Sequence, residues 1–196
     1  MTINADTVVA RGKHLIYFNN QGANAAWTTR THATFPNKGV EDFYSCQLNT
    51  NAANGLGLGF NASIENVGAK YINFQDQKTA LAKADTVKVL ASGGFSGCIF
   101  QLWRDPDGHA WGAHVYKGTD GCADINQQAK ARGWTLLYSL DTKGKGAAGR
   151  EIFVVAVVGD KNADVIAMRI HNGKSEKLVD WHTVYNWQQE HIAAIK

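Results

Sequence analysis

The sequence predicts an α+β fold dominated by strands, a β-sandwich with helix in the minority, and three observations carry that reading. Short β-like runs recur at spacings of roughly 8–15 residues, with Gly, Asn and Asp between them. Helical periodicity is confined to short stretches, and prolines are few, Pro36 and Pro106. A chain of 196 residues that is 44% hydrophobic and 10% aromatic can bury a core without metal or disulfide staples, so one domain over 1–196 is expected.

The runs come in order as TVVA at 7–10, HLIYF at 14–18, EDFYSCQL at 41–48, LGLGFNAS at 56–63, AKYINF at 69–74 and TVKVLA at 86–91. They continue as CIFQLW at 98–103, AWGAHVYK at 110–117, WTLLYSL at 134–140, EIFVVAVV at 151–158, ADVIAMRI at 163–170 and KLVDWHTVYNW at 177–187. Between AKYINF and TVKVLA, the segment 76–84 reads as one helical turn or a loop. A helix is expected over 125–132, where Asp124 can cap, Gln127 holds the capping-box position and Gly133 supplies the stop. A second, short helix is expected over 187–196. The patch DTKGKGAAGR at 141–150 reads as a loop between strands, because the tail beyond it is too short for a second core.

A net charge of +3 and a pI near 8.7 are mildly basic, but the Lys and Arg are scattered and no aromatic-interleaved basic run appears, which argues against nucleic acid. No window approaches the roughly 20 apolar residues a membrane span needs, and the N-terminus lacks the apolar core of a secretory signal. Cys46, Cys98 and Cys122 show no CxxC spacing, and neither HxH nor HExxH occurs, so neither a metal nor another cofactor is expected. A reduced compartment suits three cysteines that cannot all pair.

Chemistry concentrates in ASGGFSGCIFQLWRDPDGHAWGAHVY at 91–116. Asp105-Pro106-Asp107-Gly108 suits a type I turn, with Pro presetting φ and Gly taking a positive φ. If residue 105 faces 109, Phe100 faces His114 and Cys98 faces Tyr116. Cys98 and His114 then lie on one face as diagonal neighbours, whereas a slip of one residue separates them. His109, beside the turn, lies roughly 20 Å from Cys98 along the strand at about 3.3 Å per residue. The approach Ser92-Gly93-Gly94-Phe95-Ser96-Gly97 offers flexible backbone, N–H groups and a hydroxyl near the sulfur. Against this stands the plain alternative of Cys98 as a buried small hydrophobe and His114 as a half-buried strand residue.

At these residues the chain resembles the catalytic domain of the cytotoxic necrotizing factor family of protein glutamine deamidases, and within it the small single-domain Burkholderia lethal factor type. The family's Leu-Ser-Gly-Cys stands here as Phe95-Ser96-Gly97-Cys98, Ser92 matches a hydroxyl residue six positions before the cysteine, and His114 matches the histidine on the following strand. Detailed matching covers about 25 residues. The resemblance implies a sandwich of mixed sheets with a few peripheral helices, and hydrolysis of a glutamine side-chain amide in a target protein. In that scheme Cys98 is nucleophile, His114 base and then acid, and Ser92 orients the ring or joins an oxyanion hole built on backbone N–H groups of Gly97 and Cys98. It further implies a monomeric bacterial toxin or effector made in the cytoplasm and delivered toward a host cell. Its protein partner would be a host GTPase or a translation initiation helicase, with neither membrane nor nucleic acid as partner.

Other residues take plainer readings. Cys46 is assigned to the core and Cys122 to a structural role, and His14, His32, His171, His182 and His191 are structural or solvent-facing. Trp27, Trp103, Trp111, Trp134, Trp181 and Trp187 either fill the core or form platforms of a lectin-like binding module. A transglutaminase or cysteine protease on the same Cys-His pair is the third reading. Loops 19–30, 50–56 and 141–150 are the candidates for target recognition.

Overall fold

The structure is a computed structural model that describes residues 16–18, 27–31, 39–52, 55–59, 66–118, 121–146, 148, 150–171 and 174–189. Of those before 69, and of 121–124 and 174–175, only the backbone is described. The strands are β1 (Ile16–Phe18), β2 (Trp27–Thr31), β3 (Gly39–Ala52), β4 (Gly55–Gly59), β5 (Asn66–Ile72), β6 (Thr79–Ala84) and β7 (Val89–Phe95). They continue as β8 (Ile99–Arg104), β9 (Ala110–Val115), β10 (Thr135–Asp141), β11 (Glu151–Val158), β12 (Ala163–His171) and β13 (Lys174–Val184). Among the described residues there is one helix, α1 (Gly121–Ala131). The β-rich α+β class expected from the sequence is what the chain adopts.

The strands form one hydrogen-bonded ladder in the order β10-β8-β9-β6-β3-β5-β7-β11-β12-β13, with β1, β2 and β4 attached beside β3. Pairing is mixed: β1 with β4, β3 with β6 and β5 with β7 run parallel, and the other pairs run antiparallel. One core gathers Ala82 of β6 and Phe100 and Leu102 of β8 from one limb of this ladder. From the other it takes Leu90 of β7, Ile152 and Val154 of β11 and Val165 of β12. Residues so far apart in strand order share a core only if the ladder folds over on itself into two facing layers. Its ends then meet: Tyr138 on β10 donates to the Asp180 carboxylate on β13 and stacks on His182 at 4.7 Å. The His182 ring therefore has an aromatic partner that the sequence did not suggest.

A second cluster lies on the opposite face of the β8–β9 hairpin, where Ile99, Trp103, Trp111 and Val115 pack against Ile125 and Ala129 of α1. Phe100 and Leu102 on one face are fully buried, as is Trp103 on the other. Burial of an apolar side chain such as Phe100 contributes about 1.5–3 kcal/mol, so the hairpin is anchored from both sides. Its turn forms as the sequence predicts. The Asp105 N–H donates to the His109 carbonyl at 2.9 Å, the Gly108 N–H to the Asp105 carbonyl at 3.0 Å, and Gly108 takes φ +83°. The buried Asp105 carboxylate then accepts the His109 N–H at 2.8 Å and the Trp111 indole N–H at 2.8 Å, satisfying a charge that would otherwise be costly there.

Several expectations are corrected. The segment 76–84 is neither helical turn nor loop beyond residue 78: Thr79–Ala84 is β6, held between β3 and β9, and all but Lys83 of it is buried. Pairing on both sides overrides the weak strand propensity of TALAKA. Helix α1 starts at Gly121, so Asp124 sits inside its first turn and does not cap it, while Gly133 does follow its end. Residues 185–188 form a turn after β13, and 190–196, the rest of the expected second helix, lie outside the described residues, as does TVVA at 7–10. Within the proposed recognition loops, 27–30 belong to β2, and 50–52 and 55–56 belong to β3 and β4; the rest of 19–30 lies outside the described residues.

One local irregularity positions the site. Along the β7–β11 ladder Phe95 pairs with Ile152 and Ser92 with Val154, three residues on β7 against two on β11. The extra residue is a β-bulge, and Gly94 within it takes φ +73°. In an unbroken strand, residues 92 and 95 point to opposite faces. With the bulge, Ser92 and Phe95 both turn toward His114 on β9. The stretch expected to be a flexible approach to Cys98 is thus strand as far as Phe95, and only Ser96 and Gly97 make the turn. A Cβ at Gly94 would meet nothing closer than Glu151 Oε2 at 3.8 Å, so the cost of a side chain there is purely conformational. Gly94→Ala is expected to lower unfolding free energy in urea by roughly 1–2 kcal/mol. An unchanged midpoint would mean that the bulge does not require the left-handed conformation.

Candidate active site

His114 stands one residue before the end of β9, directly opposite Phe100 on β8 and Ala80 on β6. Its side chain is fully buried. One face of the imidazole lies on the buried Phe95 ring, 3.9 Å between centroids and 10° from parallel. Phe74 packs against the imidazole in an edge arrangement, 5.5 Å between centroids and 64° between planes.

The polar contacts of the imidazole decide its protonation. Ser92 Oγ lies 2.8 Å from the Ile72 carbonyl and 3.0 Å from His114 Nδ1. A hydroxyl has one proton, and a carbonyl only accepts, so that proton goes to Ile72. The Nδ1 contact is therefore a bond donated by Nδ1–H to Ser92 Oγ. This relay leaves Nε2 as the unprotonated nitrogen with a free lone pair, the form a general base requires. Nε2 is buried and has no hydrogen-bond partner among the described residues. A buried acceptor left unpaired is costly, and such sites are commonly completed by a ligand or a moving group.

Cys98 is half-buried, one residue before β8 begins. Extending the observed register sets it opposite Tyr116 and diagonal to His114, as the hairpin reading expected, and it packs on the same core as Phe100. The backbone N–H of Lys117 donates toward the sulfur. Thr142, buried at the end of β10, donates twice to the Cys98 carbonyl, through its hydroxyl at 2.6 Å and its N–H at 3.2 Å. Next to it, Lys117 Nζ pairs with the Asp141 carboxylate. The described part of the 141–150 loop thus contacts the cysteine, whereas the described parts of 19–30 and 50–56 are strand backbone.

Of the residues singled out from the sequence, the structure brings together Ser92, Phe95 and His114, and places Cys98 at the same end of the hairpin. Ser96 is exposed, and Gly97 forms the turn with it. The N–H that points at the sulfur belongs to Lys117, a residue the sequence reading did not single out. Phe74, Thr142 and Lys117 are the additions, and none carries a sequence signal, because each follows a strand whose pairing brings it to the site. Cys46 and Cys122 have side chains outside the described residues. Asp105, Asp107 and His109 bring ligand-type atoms within 4.8 Å of one another. Asp105 is already committed to closing the hairpin through His109 and Trp111, so the group reads as part of the turn.

Burial sets the electrostatics. It pushes the Cys98 thiol above its ordinary range, opposed in part by the Lys117 N–H, and it holds His114 down at about 3, far below the ordinary 6.5. In this conformation the pair rests as neutral thiol and neutral imidazole. The depressed histidine also makes stability depend on pH. Between about 3 and 6.5 the unfolded chain carries a proton on residue 114 that the native chain lacks, so stability falls as pH drops through that window and is unaffected above it. Replacement by His114→Gln is expected to flatten the decline of unfolding free energy below pH 6.5 by up to about 1.4 kcal/mol per pH unit. Identical slopes for the two proteins would show that the imidazole is protonated in the native state.

No known protein family, curated protein or solved structure matches this chain, and the geometry of the site is what bears on its function.

Proposed function

We propose that the protein is a cysteine-dependent amide hydrolase that converts a glutamine side chain of a target protein to glutamate. The observation that carries this reading is the relay from His114 Nδ1–H through Ser92 Oγ to the Ile72 carbonyl, which leaves Nε2 as a base on the same face as Cys98. The resemblance of Phe95-Ser96-Gly97-Cys98, Ser92 and His114 to the cytotoxic necrotizing factor deamidases supports it, as does the β-rich mixed sheet, and we assign the fold to that type on the same grounds. The target class follows from the resemblance: a host GTPase or a translation initiation helicase, met by a bacterial toxin or effector acting as a monomer.

In the proposed cycle His114 Nε2 takes the Cys98 thiol proton, and the thiolate attacks the carboxamide carbon. Nε2–H returns the proton to the departing nitrogen, releasing ammonia and leaving a thioester. Water, deprotonated by the same Nε2, then attacks the thioester, and the proton passes to the sulfur as glutamate leaves. Ser92 holds the ring through both halves, in the orienting role a third residue plays in catalytic triads. The Lys117 N–H, already aimed at the sulfur, joins those of Gly97 and Cys98 as a candidate for stabilising the oxyanion.

A binding-module reading finds less support. Trp103, Trp111, Trp134 and Trp187 are buried, and among the described tryptophans Trp181 alone is exposed, with Tyr185 as its exposed companion. The tryptophans mostly fill cores.

The test is quantitative mass spectrometry of a eukaryotic lysate treated with wild type or Cys98→Ser, reading Gln-to-Glu conversion site by site. Conversion at a site by wild type alone is expected. His114→Ala should match Cys98→Ser, and His109→Ala should retain most activity. No converted site with both proteins folded would overturn the proposal in favour of a binding module, and a cleaved chain or an amine adduct would reassign it to a protease or a transglutaminase.

A further inference from the structure

The aromatic cage around His114 has one wall that faces solvent. The imidazole is fully buried, and of the two rings against it Phe95 is fully buried while Phe74 is 44% exposed. Phe74 also leans on Tyr116 at 6.2 Å and 51°, the residue that faces Cys98 in the extended register. It sits in the connection between β5 and β6, just ahead of a tight turn in which the Lys78 N–H donates to the Gln75 carbonyl at 3.3 Å and Gln77 takes φ +58°. Among the described residues its ring–ring contacts are with His114 and Tyr116, whereas Phe95 is locked inside the core. The imidazole that Phe74 packs against carries a buried nitrogen without a hydrogen-bond partner among the described residues.

We propose that Phe74 is a gate and specificity residue: its ring shuts the solvent side of His114 at rest, and the substrate glutamine displaces it and packs its two-methylene stem between Phe74 and Tyr116. This rests on the deamidase reading. A glutamine reaching His114 from outside passes the one exposed ring of the cage, and its apolar stem matches the two aromatic rings while its amide meets the open acceptor. The closed state is consistent with the neutral imidazole, since burial disfavours its charge; opening readmits polar groups and brings His114 toward its ordinary value.

Two measurements test this. Site-resolved carbethoxylation by diethyl pyrocarbonate at neutral pH compares His114 with His109, whose side chain is 41% exposed and serves as an internal reference. In Phe74→Ala the His114-to-His109 rate ratio is expected to rise at least about tenfold, as when a local opening becomes the dominant state, with Phe74→Leu between it and wild type. An unchanged ratio in both variants, with unchanged melting behaviour, would overturn the gate. On a converted substrate, Phe74→Ala should raise KM while kcat stays equal or increases; wild-type values of both would overturn the role in specificity. If wild type converts no glutamine, the deamidase reading and the stem-binding role fall together, and the modification ratio still decides whether Phe74 shields His114.

Discussion

The single proton of the Ser92 hydroxyl organises this site. Because it is given to the Ile72 carbonyl, His114 has to donate from Nδ1, and Nε2 is left as an acceptor in the interior. Three strands must be in register for this to hold: β5 supplies the carbonyl, β7 the hydroxyl and β9 the imidazole. The parallel pairing of β5 with β7 sets Ile72 against Ser92, and the bulge at Gly94 turns Phe95 to the same side as Ser92. Without the bulge the ring could keep its hydroxyl partner or its stacking partner from β7, but not both.

The surroundings of His114 set competing demands. An apolar cage fixes the ring and excludes water, yet the same exclusion removes the charge that thiol chemistry needs, leaving a raised thiol and a depressed imidazole. The arrangement therefore stores the correct tautomer and orientation while withholding the charged state. Cys98 is held in a different way, with its carbonyl fixed by Thr142, its sulfur approached by the Lys117 N–H and its side chain only half-buried. In the proposed cycle, a buried base on β9 and a half-buried nucleophile just ahead of β8 divide the tasks of orientation and access.

Much of this was legible in the sequence where the controlling interactions are local. The turn at 105–108 fixes the hairpin register through Pro106 and Gly108, and register alone chooses His114 over His109. Long apolar runs such as EIFVVAVV announce their strands. What was hidden depends on distant partners. TALAKA is a strand because β3 and β9 flank it, and its residues do not favour one. Glycines 93 and 94 read as loop, since nothing nearby says that β11 will pair across them with a residue to spare. Thr142 reaches Cys98 across 44 positions and Lys117 reaches Asp141 across 24, so neither is visible as a motif.

The spread of these contacts along the chain also dictates when the site comes into being. Ile72 to Ser92 spans 20 positions, Ser92 to His114 spans 22, and Cys98 to Thr142 spans 44. Of the contacts at this site, only the pairing of Cys98 with Tyr116 is closed by a short turn; the others need longer loop closures and parallel pairing, which form more slowly. A chain that has collapsed around its first hairpin carries the cysteine and the histidine side by side without the relay that sets the tautomer. The arrangement that sets the tautomer of His114 is thereby tied to contacts between residues distant in the chain, and a partly folded molecule lacks it.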